Sequence, residues 1–170
     1  MHDISSTIQM MATRDKEVRQ HFSNATNLNK YETKQVMRKI DASNTLKLKA
    51  LIARFGWGET IRNSNETIWT IIQHADHDLR FQQRAYKALR RYSSESSVKP
   101  WQIASLYDRI ALNLGRPQKY GTQLTKDHKN KKWQPWPLKD NSSVDIYREA
   151  VGLEPIKQYI DNFNSIHPIK

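Results

Sequence analysis

The sequence predicts a mainly α-helical, irregular multi-helix domain of five or six helices with one small β-hairpin. Three observations predict it. Apolar residues recur at helical spacing through most of the 170 residues. One stretch, 116–140, loses that period and carries three prolines in "RPQKYGTQLTKDHKNKKWQPWPLKD". The helical segments differ too much in length for a simple four-helix bundle. The length suits a single domain over residues 1–170, with 1–5 and 164–170 expected to be loose.

Residues 5–22 read as a helix capped by Ser5 or Ser6, with Ile8, Met11, Val18 and Phe22 apolar and Asp15 among them. "SNATNLNK", 23–30, is a polar break. Val36, Met37 and Ile40 start the next apolar stripe. Asp41 looks like the cap of a second helix carrying Leu46, Leu48, Leu51, Ile52 and Phe55, which Gly56 and Gly58 stop, leaving Trp57 in a turn. The longest candidate is 65–92, capped by Asn65, with Ile68, Trp69, Ile71, Ile72, Ala75, Leu79, Ala85, Tyr86 and Leu89 on its buried side. A shorter helix, 100–114, begins near Pro100 and ends at Gly115. "YGTQLTK" and "KWQPWPL" read as two short strands around "DHKN". Residues 143–163 return to helix, divided by Gly152 and Pro155.

Composition narrows the function classes. Hydrophobic residues are 37% of the chain, and five tryptophans, seven tyrosines and four phenylalanines argue against disorder. The chain has no cysteine, so disulfides, thiol chemistry and cysteine-type zinc sites are excluded. No secretory signal pattern and no eighteen-residue apolar run is present, so the expected compartment is the cytoplasm and no membrane partner is expected. The net charge of +11 favours acidic partners, nucleic acid among them, although the charge is spread out. Glycine-rich phosphate loops, nucleophile elbows and zinc-protease motifs are absent.

The chemistry-bearing stretch is "IIQHADHDLRFQQ", residues 71–83. On a helix, His74, His77 and Asp78 share one face, with Gln82 one turn on and Gln73 and Asp76 to the sides. Three readings compete. His74 and Asp78, four apart, can clamp a divalent metal, with a third ligand such as His128 or Asp108. His74 can carry a proton, with Asp76 or Asp78 orienting the ring. Or His74 is a hydrogen-bonded structural residue and His77 is solvated. The second stretch is "DRIALNLGRPQKYGTQ". Arg109 would need a carboxylate, which Asp76, Asp41 or Asp15 could supply. Gln118, Tyr120, Thr122 and Gln123 follow on a loop bent at Gly121, where they can contact a ligand or tie off backbone groups.

The segments "MATRDKEVRQ", "DASNTLKLKALIARFGW", "WTIIQHADHDLRFQ", "LYDRIALNLGRPQKYGTQ" and "VDIYREAVGLEPIKQYI" together resemble a bacterial family of unknown function, marked by W-x-x-x-QHAD and GRPQxYGTQ. The resemblance covers about residues 10–160. It implies an emphasis on Asp15, Asp41, Asn44, Trp57, Gln73, His74, Asp76, Gln82, Asp108, Arg109, Gln118, Tyr120, Thr122 and Gln123, and implies no activity. This chain is more basic than the family pattern, above all at 124–133. The expected function is an enzyme-like domain, a hydrolase or transferase, holding a polar or anionic small ligand between the 71–83 helix and the 116–123 loop. In that reading His74, Asp76, Asp78 and Tyr120 are catalytic, and Gln73, Gln82, Arg109, Gln118, Thr122 and Gln123 bind substrate. The runner-up is a nucleic-acid-binding or nuclease-like protein using the lysines of 116–139 with Trp133 and Trp136. The third reading is a non-catalytic interaction or immunity-type protein.

Overall fold

A computed structural model of the chain describes residues 3–24, 29–64 and 66–169. The proposed cap Asn65 and half of the 23–30 break (residues 25–28) lie outside the described residues. The chain is mainly helical, with seven α-helices among the described residues and one two-stranded hairpin. It forms two compact units, one up to Val98 and one from Lys99 onward, each described by itself.

The first unit opens with α1, Ile4–Asn24, whose first turn is capped by Asp3 rather than by Ser5 or Ser6: Ser6 N–H donates to Asp3 Oδ1 at 2.7 Å. Ile4, Ile8, Met11, Ala12, Asp15 and Val18 are buried on one stripe, so the apolar period itself carries a carboxylate inward. Helix α2, Lys30–Arg62, runs through Asp41 without interruption. The expected cap is not used, because Ile40, Asn44, Thr45 and Leu48 continue one buried stripe across it. Gly56, at φ 76° and ψ 166°, breaks the helical backbone where the sequence indicates a stop, but helical structure resumes at once, through Gly58. Trp57 therefore sits on helix, stacked on Phe81 with ring centroids 5.8 Å apart. Asn44 Nδ2 donates to the Met11 carbonyl at 3.2 Å, fastening α2 to α1.

The expected long helix 65–92 is two helices, α3 at Thr67–Gln73 and α4 at Leu79–Arg91. The break falls on "HADHD". Asp78 caps α4 by accepting from Phe81 N–H at 2.9 Å. Gln82, fully buried in α4, turns its Nε2 back onto the Ile72 and Gln73 carbonyls, each 3.2 Å away. Carbonyls at the end of a helix have no partner within it, and this amide supplies one. The i, i+4 face assumed for His74 and Asp78 therefore does not exist. Helix α1 packs against both α2 and α3, which brings three elements to the turn.

The second unit begins with α5, Pro100–Asn113, with Pro100 in its first turn. Gly115, at φ 69°, reverses the chain after it. After the 116–123 loop, β1 (Leu124–Asp127) pairs antiparallel with β2 (Lys132–Pro135) in the register Leu124↔Pro135 to Asp127↔Lys132. Helices α6, Val144–Glu149, and α7, Ile156–Ile166, follow, separated at Gly152 and Pro155 as the sequence indicates. Trp133 pins β2 to α7: its Nε1 donates to the His167 carbonyl at 2.9 Å and its ring meets Phe163 edge-on. No helix among the described residues is long and apolar enough to cross a membrane.

Candidate functional site

The site lies wholly in the first unit, where α1, α2 and the end of α3 meet. Asp15 on α1 is only 2% exposed. His74 follows α3, and its Nδ1 is 3.0 Å from Asp15 Oδ2. Arg19, one turn after Asp15, lays its guanidinium between two carboxylates. Its Nε is 3.1 Å from both Asp15 oxygens, and an Nη nitrogen is 2.6 Å from Asp41 Oδ1 on α2. Its other Nη nitrogen faces the Met37 sulfur at 3.2 Å. Two acids, one guanidinium and one imidazole thus share a half-buried junction.

The tautomer of His74 follows from competition for protons. Nδ1 also lies 3.1 Å from Arg19 Nε. That nitrogen carries one hydrogen, and an ionised carboxylate attracts it more strongly than a neutral ring nitrogen does. Nδ1 then serves best as a donor to Asp15. The lone pair is left on Nε2, the arrangement of a general base. Burial pushes the Asp15 carboxyl up, but hydrogen bonds from His74 and Arg19 more than offset this and hold it below the ordinary value of 3.8. For Asp41 burial prevails over the attraction of Arg19, and its carboxyl is held above the ordinary value.

His74 lines an open groove of about 790 Å³ together with Gln9, Thr13, Lys16, Arg19 and Thr70. Asp15 and Glu17 also line it, so the groove wall carries cations, carboxylates, amides and hydroxyls beside the imidazole. Ligand atoms of Asp15, Asp41 and His74 also lie within 4.8 Å of one another, a donor set of nitrogen and oxygen that fits a divalent metal. The Arg19 guanidinium already bridges those acids, so an ion bound there has to displace it. The pair sought in the sequence, His74 with Asp78, is not brought together in this set.

The remaining residues singled out in the sequence frame the site or build the second unit. Asp76 accepts from Gln82 Nε2 at 3.2 Å, and Asp78 caps α4 and pairs with Lys49. The carboxylate on His74 is therefore Asp15 rather than Asp76 or Asp78. Gln73 contributes its carbonyl to Gln82. Gln82 Oε1 is buried without a hydrogen-bond partner among the described residues.

In the second unit, Asp108 is fully buried at the centre of the "RPQKYGTQ" loop. It accepts from the backbone N–H groups of Lys119, Tyr120 and Thr122 and from the Thr122 hydroxyl, at 2.8–3.2 Å. Burial pushes its carboxyl up despite these donors. Gln118 bridges Gln123 and the Trp136 carbonyl, and Gln123 Nε2 reaches Ser105 Oγ at 3.2 Å. The amides of this loop satisfy the loop. The Tyr120 ring packs edge-on against Tyr107 and Tyr147. Arg109 is half-buried on α5, and the guanidinium that meets Asp15 and Asp41 is Arg19. Asp108 is committed to the loop and His128 is exposed at the hairpin turn. Arg19 was missed in the sequence, although its i, i+4 spacing from Asp15 is a readable ion-pair signal.

A mainly helical protein with a histidine–carboxylate–guanidinium cluster at an open groove is the class these features define. The chain belongs to a family of unknown function, DUF6624, whose sequence profile matches residues 2–170. No curated protein and no solved structure matches the chain.

Proposed function

We propose that the first unit is the acid–base centre of a small hydrolase or transferase acting on a polar, anionic substrate. His74 exchanges the proton through Nε2. Asp15 fixes the tautomer and stabilises the imidazolium formed when the ring takes a proton. Arg19 holds Asp15 in place, and Lys16 offers a cation to an anionic group in the groove. The observation that carries this reading is the 3.0 Å contact between His74 Nδ1 and the buried Asp15 at the wall of the groove. No step requires a metal.

The test is turnover of a panel of activated phosphate, carboxyl and glycosyl esters by wild-type protein and by His74→Gln. The proposal expects turnover that falls about 10²-fold or more in the variant, with folding unchanged. No turnover of any of these esters, or equal rates in the two proteins, contradicts it.

A second reading is nucleic-acid binding through the second unit. It is favoured by Trp136, 45% exposed just after β2, and by exposed Lys126, Lys129, Lys131, Lys132 and Lys139. It expects oligonucleotide affinity that falls steeply with salt, and affinity indifferent to salt counts against it.

A further inference from the structure

The second unit holds a buried cation that the proposed chemistry does not use. Arg148, on α6, is 1% exposed. Its Nε donates to the Glu154 carbonyl at 2.6 Å and one Nη nitrogen to the Tyr120 carbonyl at 2.7 Å. Its guanidinium lies 4.9 Å from the centre of the Tyr159 ring. It has no ion pair among the described residues. A guanidinium has five N–H donors, and the two carbonyls take two of them. Burial holds the Arg148 guanidinium below its ordinary value, outweighing Asp145, Glu154 and Asp108, which attract it without forming a direct ion pair.

Arg148 also lines a cavity of about 380 Å³ with Trp101, Ser105, Thr122, Leu153, Glu154 and Tyr159, and the Glu154 carboxylate is engaged by Asn162. Two of the hydroxyls there have settled partners: Thr122 donates to Asp108 at 2.9 Å, and Tyr159 to the Thr122 carbonyl at 3.2 Å. Ser105 differs. Its Oγ accepts from Gln123 Nε2, which leaves its own hydrogen to give. The cavity therefore offers guanidinium donors and one hydroxyl donor, beside the apolar surfaces of Trp101 and Leu153.

We propose that this cavity is a binding subsite for a small oxyanion, with the Arg148 guanidinium and the Ser105 hydroxyl as donors. The anion supplies the direct ion pair that Arg148 lacks among the described residues, and an organic body attached to it would lie on Trp101 and Leu153. Phosphate and carboxylate share the required chemistry, because both accept from a guanidinium fork.

The test is titration of the full-length protein with sodium phosphate, sodium acetate and, at matched ionic strength, sodium chloride. The ¹⁵N resonance of Arg148 Nε is followed, assigned through Arg148→Lys where that variant folds and through the adjoining backbone otherwise. The proposal expects a saturable shift with phosphate, acetate or both, and none with chloride. Ser105→Ala, which leaves Arg148 and its carbonyl partners in place, is expected to weaken binding about three- to tenfold, the worth of one hydrogen bond. Saturation by phosphate alone assigns the subsite to phosphate-bearing ligands, and saturation by acetate alone to carboxylates. No saturable shift with either oxyanion, the same shift with chloride, or unchanged binding in Ser105→Ala overturns the proposal. A purely structural arginine gives the first of these results.

Discussion

Replacing Asp108 by Asn tests whether one buried carboxylate holds the "GRPQKYGTQ" loop. In the native protein that carboxylate receives three backbone N–H groups and one hydroxyl within 3.2 Å. Asn retains one acceptor oxygen, enough for Lys119 and Tyr120. Its NH₂ then faces the Thr122 N–H, donor against donor. The Thr122 hydroxyl can rotate to accept, but the Thr122 N–H cannot. One buried amide is left unsatisfied, costing about 1–3 kcal/mol, and the remaining bonds lose their charge assistance, about 1 kcal/mol more. Relief from burying a charge offsets part of this, so the expected loss is roughly 2–3 kcal/mol. The assay is native-state amide exchange at Lys119, Tyr120 and Thr122. A loss of about 2–3 kcal/mol speeds exchange of globally protected amides roughly 30- to 150-fold. Amides of the first unit serve as the internal control. If exchange at all three positions changes less than about threefold, the carboxylate is not what holds the loop, and the reasoning fails.

Two further outcomes follow from the same geometry. Gly121 sits at φ 67°, and a Cβ there would collide with the Ile156 side chain. Gly121→Ala is thus expected to cost about 2 kcal/mol or more by chemical denaturation followed at second-unit amides, whereas Gly152→Ala, also at positive φ but with open space, should cost about 1 kcal/mol. Asp15 titrates below its ordinary 3.8 in the folded protein, so its ionisation stabilises the fold above that pH, and the contribution is lost as pH falls through the depressed folded value. Asp15→Asn should therefore be less stable than wild type at neutral pH, and the gap should narrow below about pH 4 in denaturation curves read from first-unit amides. A gap that is constant from pH 7 to pH 3 would argue against the pairing.

Much of the fold is legible in the sequence because helical periodicity and proline and glycine punctuation are local signals. The α5 boundaries, the hairpin and the division of 143–163 all rest on such signals. Three misreadings have physical causes. Asp41 looks like a cap because an acid before a leucine-rich run usually is one; here its side chain answers a guanidinium on another helix. Gly56 does break the helical backbone, but Gly58 does not, because helical structure resumes right after the kink and carries Trp57 with it. The break at 74–78 has no glycine or proline to announce it, and depends on Gln82, several residues later, reaching back to the end of α3. The only local hint was Asp78, a good cap residue before Leu79. The site itself is mostly non-local. Nothing in the spacing of His74 indicates a partner 59 residues earlier. The family resemblance places weight on Asp15, Asp41, Asn44 and His74 without saying that the two acids and the imidazole converge. The polar residues of 118–123 stand out for chemistry, and in the structure the Gln118 amide is taken up by backbone groups, the Thr122 hydroxyl by Asp108 and the Gln123 amide by Ser105.

The most direct measurement is the ¹⁵N spectrum of the His74 ring in wild-type protein and in Asp15→Asn near neutral pH. For the uncharged form of the ring, the account predicts a hydrogen on Nδ1 and a bare Nε2 in the wild type, and a mixed or reversed tautomer once the carboxylate is gone. A wild-type ring carrying its hydrogen on Nε2, or a tautomer indifferent to Asp15, would remove the proton acceptor on which the proposed chemistry depends.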